Sequence, residues 1–133
     1  MREFIIYGQP VAKGRPRLSK WGTYTPQKTV EYENLIKLSY IEKHKGEPVL
    51  EDQLKLDIYF YFQIPKSVSK KMRQAMLEGK IMYDKRPDID NCIKIITDAL
   101  NGIAYKDDNQ IVEVHAMKLY DETPRTVVTI TKV

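Results

Sequence analysis

Leu54-Lys55-Leu56-Asp57-Ile58-Tyr59-Phe60-Tyr61-Phe62 begins in strict apolar–charged alternation and ends on four aromatics. Alternation of period two and aromatic enrichment are the marks of a β-strand, and Pro65 sets its end. Upstream, Val30, Leu35, Ile36, Leu38 and Ile41 recur at helical spacing after Pro26, until Gly46 and Pro48 close the element. Further back, Phe4–Tyr7 is a short apolar run closed by Gly8 and Pro10, which predicts a first strand. Between them, Lys13–Tyr24 carries Gly14, Pro16 and Gly22 and reads as an extended loop or loose hairpin. Downstream, Ser67 or Ser69 is placed to cap a short basic helix ending near Leu77 and Gly79. A second helix runs from Asn91 to Leu100, with Cys92, Ile95, Ile96, Ala99 and Leu100 on one face. Asn101-Gly102 ends it, and a loop through Asp107-Asp108-Asn109 enters a strand from Gln110 to about Tyr120. Thr126–Val133 is β-rich, and a turn at Asp121–Pro124 predicts that it pairs with that strand as a hairpin. Strands and helices interspersed without regular alternation predict an α+β fold, a mixed sheet packed with helices, in one small domain spanning 1–133.

The bulk composition agrees. A chain of 133 residues, 42% hydrophobic and 30% charged, can build its own core. No apolar run approaches the roughly 18 residues a membrane span needs, and Met1-Arg2-Glu3-Phe4 lacks the apolar core of a secretion signal. Cys92 is the sole cysteine, so no internal disulfide forms, and a reducing, cytoplasmic setting is the natural expectation.

The net charge of +4 conceals strong patterning. Lys13, Arg15, Arg17 and Lys20 fall within eight positions free of acids. From Ile64 to Arg86, Lys66, Lys70, Lys71, Arg73, Lys80, Lys85 and Arg86 face only Glu78 and Asp84. The sign then reverses: Asp88, Asp90, Asp98, Asp107, Asp108, Glu113, Asp121 and Glu122 outnumber Lys94, Lys106 and Lys118. Basic segments attract polyanions, and clustered carboxylates need cations or protons to relieve their repulsion. A protein that grips a phosphate backbone and sets metal ions against it shows both features.

The acids gather around the helix Asn91–Leu100. Asp88 and Asp90 stand at its N-terminal edge, and Lys94 and Asp98 follow Asp90 at steps of four on nearly the same face. Asp107 and Asp108 return after a short loop. Mg²⁺ takes oxygen ligands, commonly a few carboxylates with water and phosphate. Phosphodiester hydrolysis needs the phosphate polarised, a water deprotonated and the leaving oxygen stabilised, which aspartates and a lysine can supply. Plainer roles exist for each residue: Asp88 or Asp90 as a helix N-cap, Asp107-Asp108-Asn109 as turn chemistry, and Asp90–Lys94–Asp98 as an exposed ion-pair ladder. Cys92 falls on the apolar face and reads as core. Trp21 and Tyr24 can stack on an exposed base, although hairpin or core packing is their ordinary use. His44 and His115 carry no site signal.

Asp88-Ile89-Asp90-Asn91-Cys92-Ile93-Lys94, then Asp98-Ala99-Leu100-Asn101-Gly102, then Asp107-Asp108-Asn109-Gln110-Ile111 resembles the core of the RusA family of Holliday junction resolvases. Gly8-Gln9-Pro10, Lys13-Gly14-Arg15-Pro16-Arg17 and Tyr24-Thr25-Pro26 resemble the N-terminal part of many members, particularly phage-derived ones. The resemblance implies a Mg²⁺-dependent endonuclease, with Mn²⁺ as a substitute ion, that cuts four-way DNA junctions in recombination and repair. It implies catalytic roles for Asp88, Asp90, Lys94 and Asp108, with Asp88, Asp90, Asp108 and Asp107 as the metal-ligand set. It also implies a homodimer, because one chain with one acidic cluster makes one cut and paired cuts need two sites related by symmetry. Charge adds a set of DNA contacts: Lys13, Arg15, Arg17, Lys70, Lys71, Arg73 and Arg86. A catalytically silent DNA-binding module of the same fold, or a nuclease preferring flaps or forks, are the competing readings.

Overall fold

A computed structural model describes residues 1–133. In chain order the elements are β1 (Arg2–Tyr7), β2 (Arg17–Ser19), β3 (Gly22–Tyr24), α1 (Gln27–His44), β4 (Leu54–Gln63), α2 (Lys70–Leu77), α3 (Ile89–Leu100), β5 (Ile111–Asp121) and β6 (Arg125–Lys132). One 3₁₀ turn, Asp108–Gln110, precedes β5. The main sheet has the order β1-β6-β4-β5, with β5 parallel to β4 and β6 antiparallel to both its neighbours. The arrangement is α+β, as the interspersed strand and helix patterns predict.

Alternation in β4 sorts its side chains between the two faces. Leu54, Leu56, Ile58, Phe60 and Phe62 are buried, and Lys55, Asp57, Tyr59 and Tyr61 take the other side. The buried set meets Phe4 and Ile6 of β1, Val128 and Ile130 of β6, and the predicted stripe Cys92, Ile95, Ile96, Ala99 and Leu100 of α3. A smaller cluster of Ile64, Met76 and Tyr120 fixes α2 near the end of β5. All three helices therefore lie on one side of the sheet. Across the opposite side runs an aligned row of half-buried residues, Ile5, Val127, Tyr59 and Met117, with Tyr61 and Leu119 in the next row.

Two sequence expectations fail here. β6 does not form a hairpin with β5: β4 lies between them, and Glu122–Pro124 crosses over its end. Two strand spacings are about 10 Å, which the few residues from Asp121 to Arg125 span when extended. Asp121 holds that crossing by accepting from Arg125 and from the Thr123 amide. The second failure is the buried face of α1. Val30, Leu35, Leu38 and Ile41 are exposed, and Thr29, Tyr32, Ile36 and Tyr40 are buried instead. Tyrosine rings bury more area than aliphatic chains when their hydroxyls find partners. Tyr32 Oη pairs with Thr126 Oγ1 at 3.2 Å, and Tyr40 Oη accepts from Arg2 at 2.7 Å.

Ser69, not Ser67, caps α2 by accepting from the Met72 amide at 3.1 Å. Lys13–Tyr24 divides into an extended segment and the small hairpin β2–β3, whose strands pair from Arg17↔Tyr24 to Ser19↔Gly22. Trp21 sits at its tip, 87% exposed, with only Lys20 over its ring. The expectation of packing for Trp21 is therefore not met; three residues per strand offer no second layer to cover it. No helix is long and apolar enough to cross a membrane.

Candidate active site and basic groove

The loop Lys13–Arg17 is held at its base by α1 and α3. The Lys13 amide donates to Asn91 O at 3.0 Å, tying the loop to the first turn of α3. The Gly14 amide donates to Thr29 Oγ1 at 3.0 Å, and a Cβ on Gly14 would come within 2.6 Å of that oxygen. Glycine is required by that close approach. The Lys13 ammonium turns inward, 2.9 Å from Glu33 Oε2 on α1 and 3.4 Å from Asp98 Oδ2 on α3. Burial works against its charge, but the hydrogen bond and charge of Glu33, with those of Asp98, prevail and raise its pKa above the ordinary lysine value.

With Lys13 so occupied, the next cations point elsewhere. Arg15, Arg17, Lys28 and Arg86 line a groove of about 530 Å³ floored by Pro10–Ala12, Pro26, Thr29 and Pro87. None of these four makes an ion pair with a carboxylate, and no acid lines the groove. An adjoining cleft of about 380 Å³ brings Arg15 and Arg86 against Asp88 and Asn91. Sequence reasoning missed Lys28; its helical position hid its place in the groove. Lys70 and Lys71 stand on α2, outside the groove. Arg73, beside them, pairs with Glu122 and donates to Pro65 O.

The acids form two pairs, Asp88 with Asp90 at the start of α3 and Asp107 with Asp108 after its end, with Asp98 on the helix between them. Asp88 occupies the N-cap position of the helix with extended backbone angles, yet its side chain makes no capping bond. The plain N-cap role therefore does not consume its carboxylate. Asp90, in the first turn, accepts from the Asn91 amide at 2.9 Å. Lys94 and Asp98 lie further along, with Lys94 Nζ 3.5 Å from Asp98 Oδ2. From Asp90 to Asp98 is about 12 Å at 1.5 Å rise per residue.

Asp107 and Asp108 meet the later part of this ridge. Asp107 caps the 3₁₀ turn, accepting from the Asn109 amide at 3.0 Å, and Gln110 Oε1 accepts from the Asp107 amide at 2.9 Å. Gln110 Nε2 also reaches Leu50 O at 3.0 Å and Asp52 O at 2.9 Å, fixing the turn to the chain ahead of β4. The turn-chemistry reading thus describes Asp107 and Gln110. Asp108 is left with its carboxyl free of capping. Partial burial, then the hydrogen bond and charge of Asp107 and the charge of Asp98, raise its pKa above the ordinary carboxylate value against the opposing pull of Lys94. Cys92 is core, as expected; burial, with Asp88 and Asp90 adding to it and Lys118 opposing, pushes its thiol up to about 11.

No three His, Cys, Asp or Glu side chains converge closely enough to enclose a metal by themselves. The donor chemistry nonetheless fits a hard cation. Mg²⁺ commonly takes one or two carboxylates and completes its octahedron with water and substrate phosphate. The uncapped Asp88 with Asp90 is one such pair, and Asp107 with Asp108, whose mutual repulsion a cation would relieve, is the other.

Comparison with known proteins identifies the family. The family model for Endodeoxyribonuclease RusA matches residues 7–131. A Bacillus subtilis (strain 168) protein named Uncharacterized protein YqaN is 36% identical over 137 residues, covering 98% of this chain and 96% of its own. The chain belongs to the RusA family, and so is an endodeoxyribonuclease, a hydrolase acting on DNA.

Proposed function

We propose that this chain is a Holliday junction resolvase: a cytoplasmic homodimer that makes paired, symmetric nicks in four-way DNA junctions with Mg²⁺, or Mn²⁺ in its place. The observation that carries the reading is the cleft in which the uncapped Asp88 faces Arg15 and Arg86, neither of them paired to a carboxylate. Two arginines free to hold phosphate beside a carboxylate free to hold a cation are what phosphodiester cleavage asks of a surface.

In this reading Asp88 and Asp90 would hold a cation at the start of α3, and Asp108, with Asp107 beside it, would hold one near Asp98. When bound, a cation polarises the scissile phosphate and lowers the pKa of a water. Arg15, Arg17, Lys28 and Arg86 bind the backbone along the groove and orient the strand without reading bases. Lys94, whose side chain is 59% exposed, places its ammonium where negative charge builds on the leaving oxygen. Asp98 Oδ2 restrains that ammonium and is itself held in place by Lys13.

The sheet face that carries Ile5, Val127, Tyr59 and Met117 supports the dimer. It has no helical layer, its central row is apolar, and Arg125 stacks 4.2 Å over the Tyr61 ring at one end. A second copy placed face to face would bury it by a two-fold operation. Cleavage of a panel of substrates tests the function: four-way junction, flap, fork and linear duplex, each with Mg²⁺ and with EDTA. Preference for the junction, lost in EDTA, is the expected result. Equal rates on linear duplex, or preference for flaps or forks, would overturn the junction assignment.

A further inference from the structure

Three consecutive carbonyls lead into Asp88, and each accepts from a side chain, two from distant Lys118 and one from nearby Tyr83. Lys118 Nζ, on β5, lies 2.6 Å from Lys85 O and 2.6 Å from Pro87 O. Tyr83 Oη donates to Arg86 O, between them, at 2.7 Å. The two clamping groups are themselves joined. The Tyr83 amide donates to Lys118 O at 3.1 Å, and the Lys118 ammonium sits 5.2 Å from the centre of the Tyr83 ring. That ring stacks flat on Phe62, with centroids 3.8 Å apart and planes 7° from parallel, and Phe62 is 1% exposed. The clamp is thus anchored in the hydrophobic core through β4 and β5.

Lys118 stands on β5 in register with Phe60, on the helix side of the sheet, where an apolar residue would be the ordinary choice. A cation there costs desolvation, which two carbonyl oxygens and an aromatic face offset. No carboxylate shares that ammonium as an ion-pair partner. Its directed bonds instead end on the backbone just before Asp88. With carbonyls 85 to 87 turned toward the clamp, Arg86 lines the groove, and Arg86 and Asp88 together line the cleft that adjoins it. Lys118 and Asp88 also share the wall of a third depression, with Asp90, Tyr83 and Met117.

We infer that Lys118 and Tyr83 are positioning residues, a carbonyl clamp that sets Arg86 and Asp88 in one fixed relation so that phosphate and cation are held together. The inference rests on the nuclease reading above and adds two residues to it. Partners that orient a metal-binding group typically change metal affinity or activity 10- to 100-fold when removed. Loosening the segment before Asp88 moves that carboxylate relative to Arg86, while the groove cations that dominate DNA affinity remain.

The test uses full-length Tyr83→Phe, which keeps the stack on Phe62 and removes only the hydroxyl, with Lys118→Met and Lys118→Arg. Three quantities are read for each: single-turnover cleavage at saturating enzyme, the Mg²⁺ concentration for half-maximal rate, and junction Kd in EDTA. Amide hydrogen exchange over 85–91 and thermal midpoints accompany them. Expected for Lys118→Met is a cleavage rate lower by about 10- to 100-fold and a raised Mg²⁺ midpoint, with Kd within about twofold. Tyr83→Phe should do the same to a lesser degree, with faster exchange across 85–91 and little change in melting. Lys118→Arg, which keeps donors for both carbonyls, should recover part of the rate. Wild-type rate and Mg²⁺ midpoint in both Tyr83→Phe and Lys118→Met would overturn the clamp. So would a rate loss matched by an equal loss of Kd, which would make Lys118 a plain DNA contact. Asp90→Asn serves as the reference: an active Asp90→Asn would sink the nuclease-site reading itself, whereas an inactive one beside wild-type clamp variants sinks only the clamp.

Discussion

Lys13 and its neighbours Arg15 and Arg17 share a loop and a charge, yet their removal should have different consequences. Arg15 and Arg17 line the groove without carboxylate partners, whereas Lys13 is spent on Glu33 and Asp98. Each phosphate neutralised on duplex DNA contributes about 0.9 to the slope of log affinity against log salt. Replacing Arg15 and Arg17 by alanine should therefore lower that slope by about 1.8. Across a fourfold rise in salt, from about 50 to about 200 mM, the variant should lose about 12-fold less affinity than wild type. Lys13→Ala should leave the slope within about 0.3 and lower the melting temperature instead, since Glu33 loses its charged donor and Asp98 keeps only Lys94, at a cost of about 1–3 kcal/mol. The assay is fluorescence anisotropy of a labelled junction at several salt concentrations in EDTA, so that no cleavage intervenes. An unchanged slope in the double arginine variant, or an equal fall in Lys13→Ala, would refute the division of the loop into a structural lysine and two phosphate-binding arginines.

Asp90→Asn should abolish cleavage in Mg²⁺ while junction affinity holds or tightens, because one cation ligand and one charge repelling phosphate are lost together; gel assays of both quantities check this. Asp108 gives a pH signature. Its folded-state pKa is raised, so its contribution to stability is fully present below the unfolded carboxylate pKa and is lost as pH rises through the folded value. In EDTA, the melting temperature of Asp108→Asn relative to wild type should be higher at neutral pH than at pH near 4, and a constant difference would contradict the cause given. Trp21 is the sole tryptophan and sits exposed at a hairpin tip. Junction binding should quench or shift its emission, and Trp21→Ala should weaken binding to the junction more than to linear duplex if that ring stacks on an unpaired base.

The sequence carried the elements better than their neighbours in space. Alternation in Leu54–Phe62 and the apolar stripe of α3 each describe a segment against a buried surface, and both match the structure. Strand order is a different kind of information. The turn Asp121–Pro124 looks the same whether the chain folds back beside β5 or steps over β4, because local turn chemistry does not record what lies between two strands. The buried face of α1 was hidden for a related reason: Tyr32 and Tyr40 enter the core only because Thr126 and Arg2 meet their hydroxyls from distant strands. At the site, the motif pointed to the acids, but not to the difference between Asp107, one of whose carboxylate oxygens caps the 3₁₀ turn, and Asp88, whose carboxylate makes no capping bond. Nor does a run of basic residues reveal that Lys13 and Arg73 are paired while Arg15, Arg17 and Arg86 are free. Lys118 carried no motif signal, because its role lies in bonds to the backbone of a segment 31 and 33 residues away.

Mapping the nicks on each strand of a labelled four-way junction, on a denaturing gel, with Mg²⁺ or with EDTA, tests the central claim most directly. The expected result is Mg²⁺-dependent incisions on two opposing strands at symmetry-related positions near the crossover, and none in EDTA. An intact junction in Mg²⁺, or incisions that persist in EDTA or fall without regard to the crossover, would contradict it.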